Sequence, residues 1–182
     1  MHQGRRRAPR KRKPAAEPAE IAWTEGLREG EPTGRDRREA ERVIAYWRQQ
    51  LEALGDKATI AALDLAAVNT GEWANRFLIA VDPVIERSAL LLYGPEFARL
   101  MGLREQPRND LPLNRQLPLR HVDWFLRGCE EAHKTMEPVR LEGEIERADG
   151  RLEQYRAVFI PVRVKPNSLT CLAFGAFSNR LV

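Results

Sequence analysis

The last third of the chain holds three extended segments, and two of them are apolar on both faces. From Val139 to Glu146, the apolar Val139, Leu141 and Ile145 alternate with Arg140, Glu142, Glu144 and Glu146, the pattern of an antiparallel strand with one face in water. Ala148-Asp149-Gly150 predicts a turn. The return strand then sets Tyr155, Ala157 and Phe159 on one face and Val158, Ile160, Val162 and Val164 on the other. Pro161 brings no N–H to a ladder, so it predicts a bulge or an edge stretch. A second turn, Lys165-Pro166-Asn167-Ser168, leads into LTCLAFGAF, again apolar on both faces. Strands of this kind need a layer of protein on each side, which excludes a sheet with one face in water.

The sequence offers material for both layers. After Asp36, which stands in capping-box spacing to Glu39, the residues Ala40, Val43, Ile44, Trp47, Leu51 and Leu54 recur at helical intervals, and Gly55 marks a left-handed stop. This amphipathic helix carries one sticky stripe, which must lie on its own domain or on the same helix of a second subunit. TIAALDLAAV, 59–68, reads equally as a short helix or an extended lead-in. Arg76–Val81, closed by Asp82-Pro83, and Ser88–Tyr93, closed by Gly94-Pro95, read as a hairpin buried on both faces. PEFARLMGL predicts a short helix with Pro95 in its first turn and Gly102 at its end. Residues 103–118 hold three prolines and no period, and read as a loop. A second amphipathic helix follows over Leu119–Lys134, with a stripe of Leu119, Val122, Leu126, Cys129 and His133, widened by Trp124 and Phe125. The fold class is α+β: one antiparallel sheet with helices on one face and the N-terminal helix on the other.

At 182 residues and 43% hydrophobic, the chain can bury a core of its own. FLIAV and ALLLY fall far short of the ~20 apolar residues that cross a bilayer, and no apolar run follows the basic N-terminus, so a cytoplasmic protein without a signal peptide is expected. The net charge of +4 is unevenly placed. Arg5, Arg6, Arg7, Arg10, Lys11, Arg12 and Lys13 stand together without an acid, while the remainder is slightly acidic. Residues 1–35 hold too few large apolar side chains to offset the entropy of ordering, and read as a disordered basic arm. The partition expected is therefore arm 1–35, flanking helix 36–55 and domain 56–182. Cys129 and Cys171 lie far apart without a CxxC neighbour, which suits buried thiols and neither a zinc site nor a disulfide framework.

Element order and particular residues together resemble a PAS domain, most of all the short single-domain PAS proteins of alphaproteobacteria. The likeness spans roughly 40–180 and is carried by AYW at 45–47, FLIAVDP at 77–83, LLLYGPEFARLMGL at 90–103 and EGEIERADGRLEQYRAVFIPV at 142–162. The resemblance implies a five-stranded sheet with the middle helices across its concave face. It further implies an interior that holds either a small ligand or a packed core, and an outer face that receives a flanking helix or a second subunit.

On that reading the candidate ligand pocket is Tyr93, Phe97, Met101, His121, Trp124 and Phe125, with an ordinary core role as the plainer alternative for each. The candidate interface is Val43, Ile44, Trp47 and Leu51, with Trp47 as its anchor. Flavin-binding members carry an asparagine-cysteine-arginine-phenylalanine motif on the middle helices. This sequence has none, since Cys129 sits in RGCEE. A haem would have to use His121 or His133, each on or near an apolar stripe where a packing role is the default. Neither flavin nor haem is therefore expected, and no metal site. Glu142, Glu144 and Glu146 share a solvated strand face, and no phosphate loop, HExxH or GxSxG is present, so no catalytic residues are assigned. The function expected is a sensory or regulatory module without an output domain of its own, acting through a small molecule, a protein partner or self-association of the 36–55 helix. Two alternatives stand beside it. One is a nucleic-acid-associated protein working through residues 5–13, whose binding would fall steeply with salt. The other is an enzyme on a cone-shaped α+β fold, which a deep pocket with paired acids or histidines would favour.

Overall fold

The structure is a computed structural model, and it describes residues 35–66, 71–104, 107–146 and 149–181. The basic arm expected at 1–35, with its cluster at 5–13, lies outside the described residues apart from Arg35, as does Ala148 of the expected hairpin turn. Helix α1 spans Arg35–Leu54, so it begins one residue before the expected cap, Asp36. Strands β1 (Arg76–Val81) and β2 (Ala89–Tyr93) form the first hairpin, and helices α2 (Pro95–Met101), α3 (Leu113–Gln116) and α4 (Leu119–Thr135) follow. Strands β3 (Val139–Glu146), β4 (Leu152–Arg163) and β5 (Cys171–Leu181) close the chain. All five strands make one antiparallel sheet in the order β2-β1-β5-β4-β3, which places the last strand at the centre beside the first.

The pleat sorts the sheet residues into two cores. Phe77, Ile79, Leu141, Tyr155, Phe159 and Phe177 face inward and pack with Phe97, Met101, Phe125 and Cys129 of α2 and α4. Leu78, Val158, Ile160, Val162, Leu172 and Phe174 face outward and pack with Val43, Ile44 and Trp47 of α1 and with Trp73. The two-sided strands are thus covered twice, by helices on one face and by the chain's own N-terminal helix on the other. Strand β3 shows the expected alternation, with Arg140, Glu142, Glu144 and Glu146 exposed.

Glycines fix several junctions. Gly55 (φ +54°) ends α1 and Gly102 (φ +63°) ends α2, both in the left-handed region where a Cβ is unfavourable. A Cβ on Gly128 would stand 2.4 Å from the Phe159 ring, so this glycine is what lets α4 approach β4.

Three expectations need correction, and the structure decides between the alternatives left open at Pro161. The α4 stripe is rotated: Leu119 is 82% exposed, Leu126 and His133 lie only on its flanks, and the buried side is His121, Val122, Trp124, Phe125, Gly128, Cys129 and Ala132. Close contact at Gly128 sets that rotation. In the 103–118 loop, α3 appears, with Leu113 fully buried, its N–H bonded to Ser88 O at 2.8 Å, and Leu117 beside it in the inner core. Leu169 is 96% exposed, so the third strand starts at Cys171 rather than Leu169 and runs on to Leu181. At Pro161 the edge-stretch reading holds and the bulge does not. The proline's register with β5 is unbroken, and it sits beyond Phe159, the last β4 residue paired to β3, on a stretch that is an edge on that side. Of the 59–68 segment, residues 59–66 are described: Thr59 makes a parallel bridge to Arg163, and Ile60–Ala62 forms a 3-10 turn.

Candidate functional site: a filled interior and an outer cleft

The six candidate pocket residues do come together. Tyr93, Phe97, Met101, His121, Trp124 and Phe125 are all buried in the inner core. Their rings meet those of the sheet directly: Phe77 lies 5.3 Å from Phe97, 5.2 Å from Phe125 and 5.3 Å from Phe159, centroid to centroid. Trp124 and Phe177 stand edge to face at 5.9 Å, as do Phe125 and Phe159 at 5.4 Å. These are the separations of aromatic side chains in mutual contact. Tyr93 reaches the rim of this core, where its hydroxyl donates to Arg104 O at 2.9 Å, and burial raises its pKa.

One end of the interior is polar. Glu153 has the same strand parity as Tyr155, Ala157 and Phe159 and so points inward, where it is 2% exposed. Its carboxyl accepts from the Tyr155 hydroxyl at 3.0 Å and from Asn179 Nδ2. His121 stands edge-on to Tyr155, 4.7 Å between centroids, and its Nε2 accepts from Arg120 Nε at 3.1 Å. Burial, reinforced by the Arg120 cation and only partly offset by Glu153, lowers the His121 pKa to about 4, so the imidazole is neutral at pH 7. Trp124 Nε1 is buried without a hydrogen-bond partner among the described residues. Sequence reasoning named His121 and Trp124 but missed Glu153 and Asn179, although alternation from Phe159 down to Glu153 carried that signal.

The Phe77, Phe97, Phe125 and Phe159 rings fill the space between the sheet and the inner helices. The cysteine nearest in sequence to the middle helices, Cys129, is fully buried late on α4 with its thiol pKa pushed up by burial. Of the two histidines a haem would have to use, His121 accepts from Arg120 at Nε2, and His133 Nδ1 is buried without a hydrogen-bond partner among the described residues. No group of three or more His, Cys, Asp or Glu arranged to hold a metal occurs among the described residues.

On the other side of the sheet, Val43, Ile44 and Trp47 of the candidate interface are spent within the chain, at 0%, 2% and 4% exposure against β4 and β5. Leu51 is 44% exposed, because the last turn of α1 runs past the stripe that the sheet covers. Beside α1 a cleft of about 470 Å³ opens on the outer face, unforeseen in the sequence. Tyr46, Trp73, Arg76 and Phe174 form its inner wall. The Tyr46 hydroxyl donates to Ala62 O at 2.7 Å, and the Arg76 guanidinium lies 5.8 Å from the Tyr46 ring centroid and 6.0 Å from that of Phe174. Arg42, Asp64 and Glu72 stand exposed on its rim.

No protein-family profile matches the chain, and no curated protein does. Among solved structures it is similar to the LOV protein of Rhodobacter sphaeroides, at 16% identity over 72% of this chain and 67% of that one, with a TM-score of 0.44. It is also similar to a PAS domain from Colwellia psychrerythraea, at 14% identity over 59% and 86% with a TM-score of 0.39. A third is the PAS-B domain of Drosophila melanogaster Cycle with bound ethylene glycol, at 10% identity over 58% and 99%, TM-score 0.38. What decides the architecture is the chain's own topology: five antiparallel strands with the first hairpin beside the last strand and the middle helices on one face. The fold is PAS-like. In this PAS-like domain the outer face is closed by α1 from the same chain, and no described helix is long and apolar enough to cross a membrane.

Proposed function

We propose that this PAS-like domain is a sensory or regulatory module whose signal leaves through α1, to a protein partner. The supporting observation is how α1 is held. Three side chains, Val43, Ile44 and Trp47, seat it on the outward faces of β4 and β5, and a described polar tie to the sheet, Glu41 to Arg140 at 3.0 Å, is exposed. Exposed ion pairs of that kind contribute little. A helix attached mainly by one apolar stripe has two states, seated and released. Release uncovers Val158, Ile160, Val162 and Phe174, a surface that a partner of matching shape can bind. Among the described residues, the polar groups at the end of the interior, Glu153, Tyr155, Asn179 and His121, are bonded to one another or packed ring against ring.

Native-state hydrogen exchange tests the reading. Amides of α1 over 43–54 should open at a free energy several kcal/mol below that of the β4–β5 ladder, as expected of a relay element. Exchange of α1 and the central strands with one common opening energy would remove α1 as the output.

A further inference from the structure

The outer cleft is a slot with rings along its inner wall. Tyr46, Trp73 and Phe174 stand together there beside Arg76, with Phe174 5.4 Å from Trp73 and 6.4 Å from Tyr46, centroid to centroid, the second pair edge to face. Its mouth carries the exposed carboxyls of Asp64 and Glu72. Rings within and acceptors at the mouth suit a flat apolar group that brings a donor and no acceptor. Among side chains that group is the indole of tryptophan. The space of about 470 Å³ lies within the size range of ligand pockets and holds one such ring with the backbone beside it.

We propose that the occupant is the chain's own Trp23, docked in this cleft by the segment EIAWT at 20–24. Residues 1–34 lie outside the described ones, and the chain enters the described structure at Arg35, the first residue of α1. Arg42 and Tyr46, on the following turns of the same helix, line the cleft. At ~1.5 Å per residue, Arg42 stands about 10 Å along the helix from Arg35. Trp23 precedes Arg35 by twelve residues, a length of chain that reaches up to about 40 Å when extended. Between them, Gly26, Gly30, Pro32 and Gly34 are turn residues suited to a reversal back along α1. Trp23 is also the one Phe, Trp or Tyr that precedes Tyr46. A tether this short holds it near the cleft at an effective concentration of about millimolar, so a modest contact suffices. In the cleft the ring touches α1 through Tyr46, the 3-10 turn Gly71–Trp73 and the sheet through Phe174 together, and so favours the seated helix. That consequence rests on the relay reading above, whereas the docking itself does not.

The test is made on the full chain by NMR. Comparing its indole N–H signals with those of Trp23→Phe identifies the Trp23 signal by its loss. That signal should show nuclear Overhauser contacts to the Tyr46, Trp73 or Phe174 ring, unchanged on dilution because the tether lies within one chain. A soluble paramagnetic agent should broaden it several-fold less than it broadens free tryptophan. Trp23→Ala should speed amide exchange over 43–54 by about two- to tenfold, the scale of one set of aromatic contacts, and leave the β4–β5 ladder as it was. Absence of contacts to those rings, contacts that vanish on dilution, or broadening equal to that of the free amino acid overturns the docking, whatever α1 does. Docking with unchanged α1 exchange keeps the site and removes its hold on the helix. If α1 and the central strands open with one common energy while the Trp23 contacts stand, the relay fails and the docking remains.

Discussion

At the scale of single residues, the polar end of the inner core sets the sharpest expectations. Glu153 is buried with two donors, so Tyr155→Phe leaves its carboxyl short of one of them. Hydrogen bonds to a charged group contribute about 1.5–3 kcal/mol, and an unfolding free energy lowered by that amount, read as a lower urea midpoint with an unchanged slope, is the expected outcome. His121 makes stability depend on pH. Its folded pKa of about 4 lies below the ordinary 6.5, so the unfolded chain takes up a proton that the folded one refuses. The contribution is whole above pH ~6.5, is lost as pH falls toward 4, and changes no further below that. Through that window the loss amounts to on the order of 3 kcal/mol at most. His121→Phe keeps a ring against Tyr155 and Phe177 and removes the titration, so the variant should lose less stability than the wild type between pH 7.5 and 4.5 in parallel urea titrations. Equal losses would mean that other groups carry the acid sensitivity.

At the scale of elements, the packing of α4 on β4 turns on an absent side chain. Gly128→Ala gains roughly 1 kcal/mol of helix propensity, but the new Cβ meets the Phe159 ring at 2.4–2.7 Å. That ring is held by Phe77, Phe125 and Trp124 and has nowhere to turn. The clash should win, with a net destabilisation of about 1–3 kcal/mol read by thermal or urea unfolding. Trp47→Ala, which empties the seat of α1, should lower stability by about 3–5 kcal/mol if α1 unfolds with the rest. A smaller loss, together with faster exchange confined to α1, would show the helix leaving alone. The sequence announced these elements where period and turn chemistry agreed: alternation in β3 and β4, glycine stops at Gly55 and Gly102, and the N-terminal proline of α2. It was less clear where one residue serves two neighbours. The α4 stripe was misplaced by a rotation because Leu119 and Leu126 look more apolar than His121 and Gly128, which the sheet actually contacts. The outer cleft was hidden for a related reason. Tyr46 and Arg42 lie beside the α1 stripe, and Trp73, Arg76 and Phe174 come from segments up to about a hundred residues apart, so no local pattern joins them.

At the scale of the whole molecule, strand order decides how the two cores are coupled. Strand β5 pairs with β1 on one side and β4 on the other, and it alternates inward residues such as Phe177 with outward ones such as Phe174. No inner core can form without placing β5, and placing β5 presents the outer face that α1 must cover. The sheet and its inner helices therefore constitute one cooperative unit, to which α1 is attached from outside. A chain ending at Thr170 should fail to fold at all, since it loses the central strand and both of its ladders. A chain starting at Gly55 should keep the sheet's circular-dichroism signal but expose Val158, Ile160, Val162, Leu172 and Phe174. The sign of that exposure is concentration-dependent association by light scattering, together with binding of a hydrophobic dye. If the shortened chain instead stays monomeric and binds no dye, α1 is not what keeps the outer face dry, and the seated-and-released account of the output loses its physical basis.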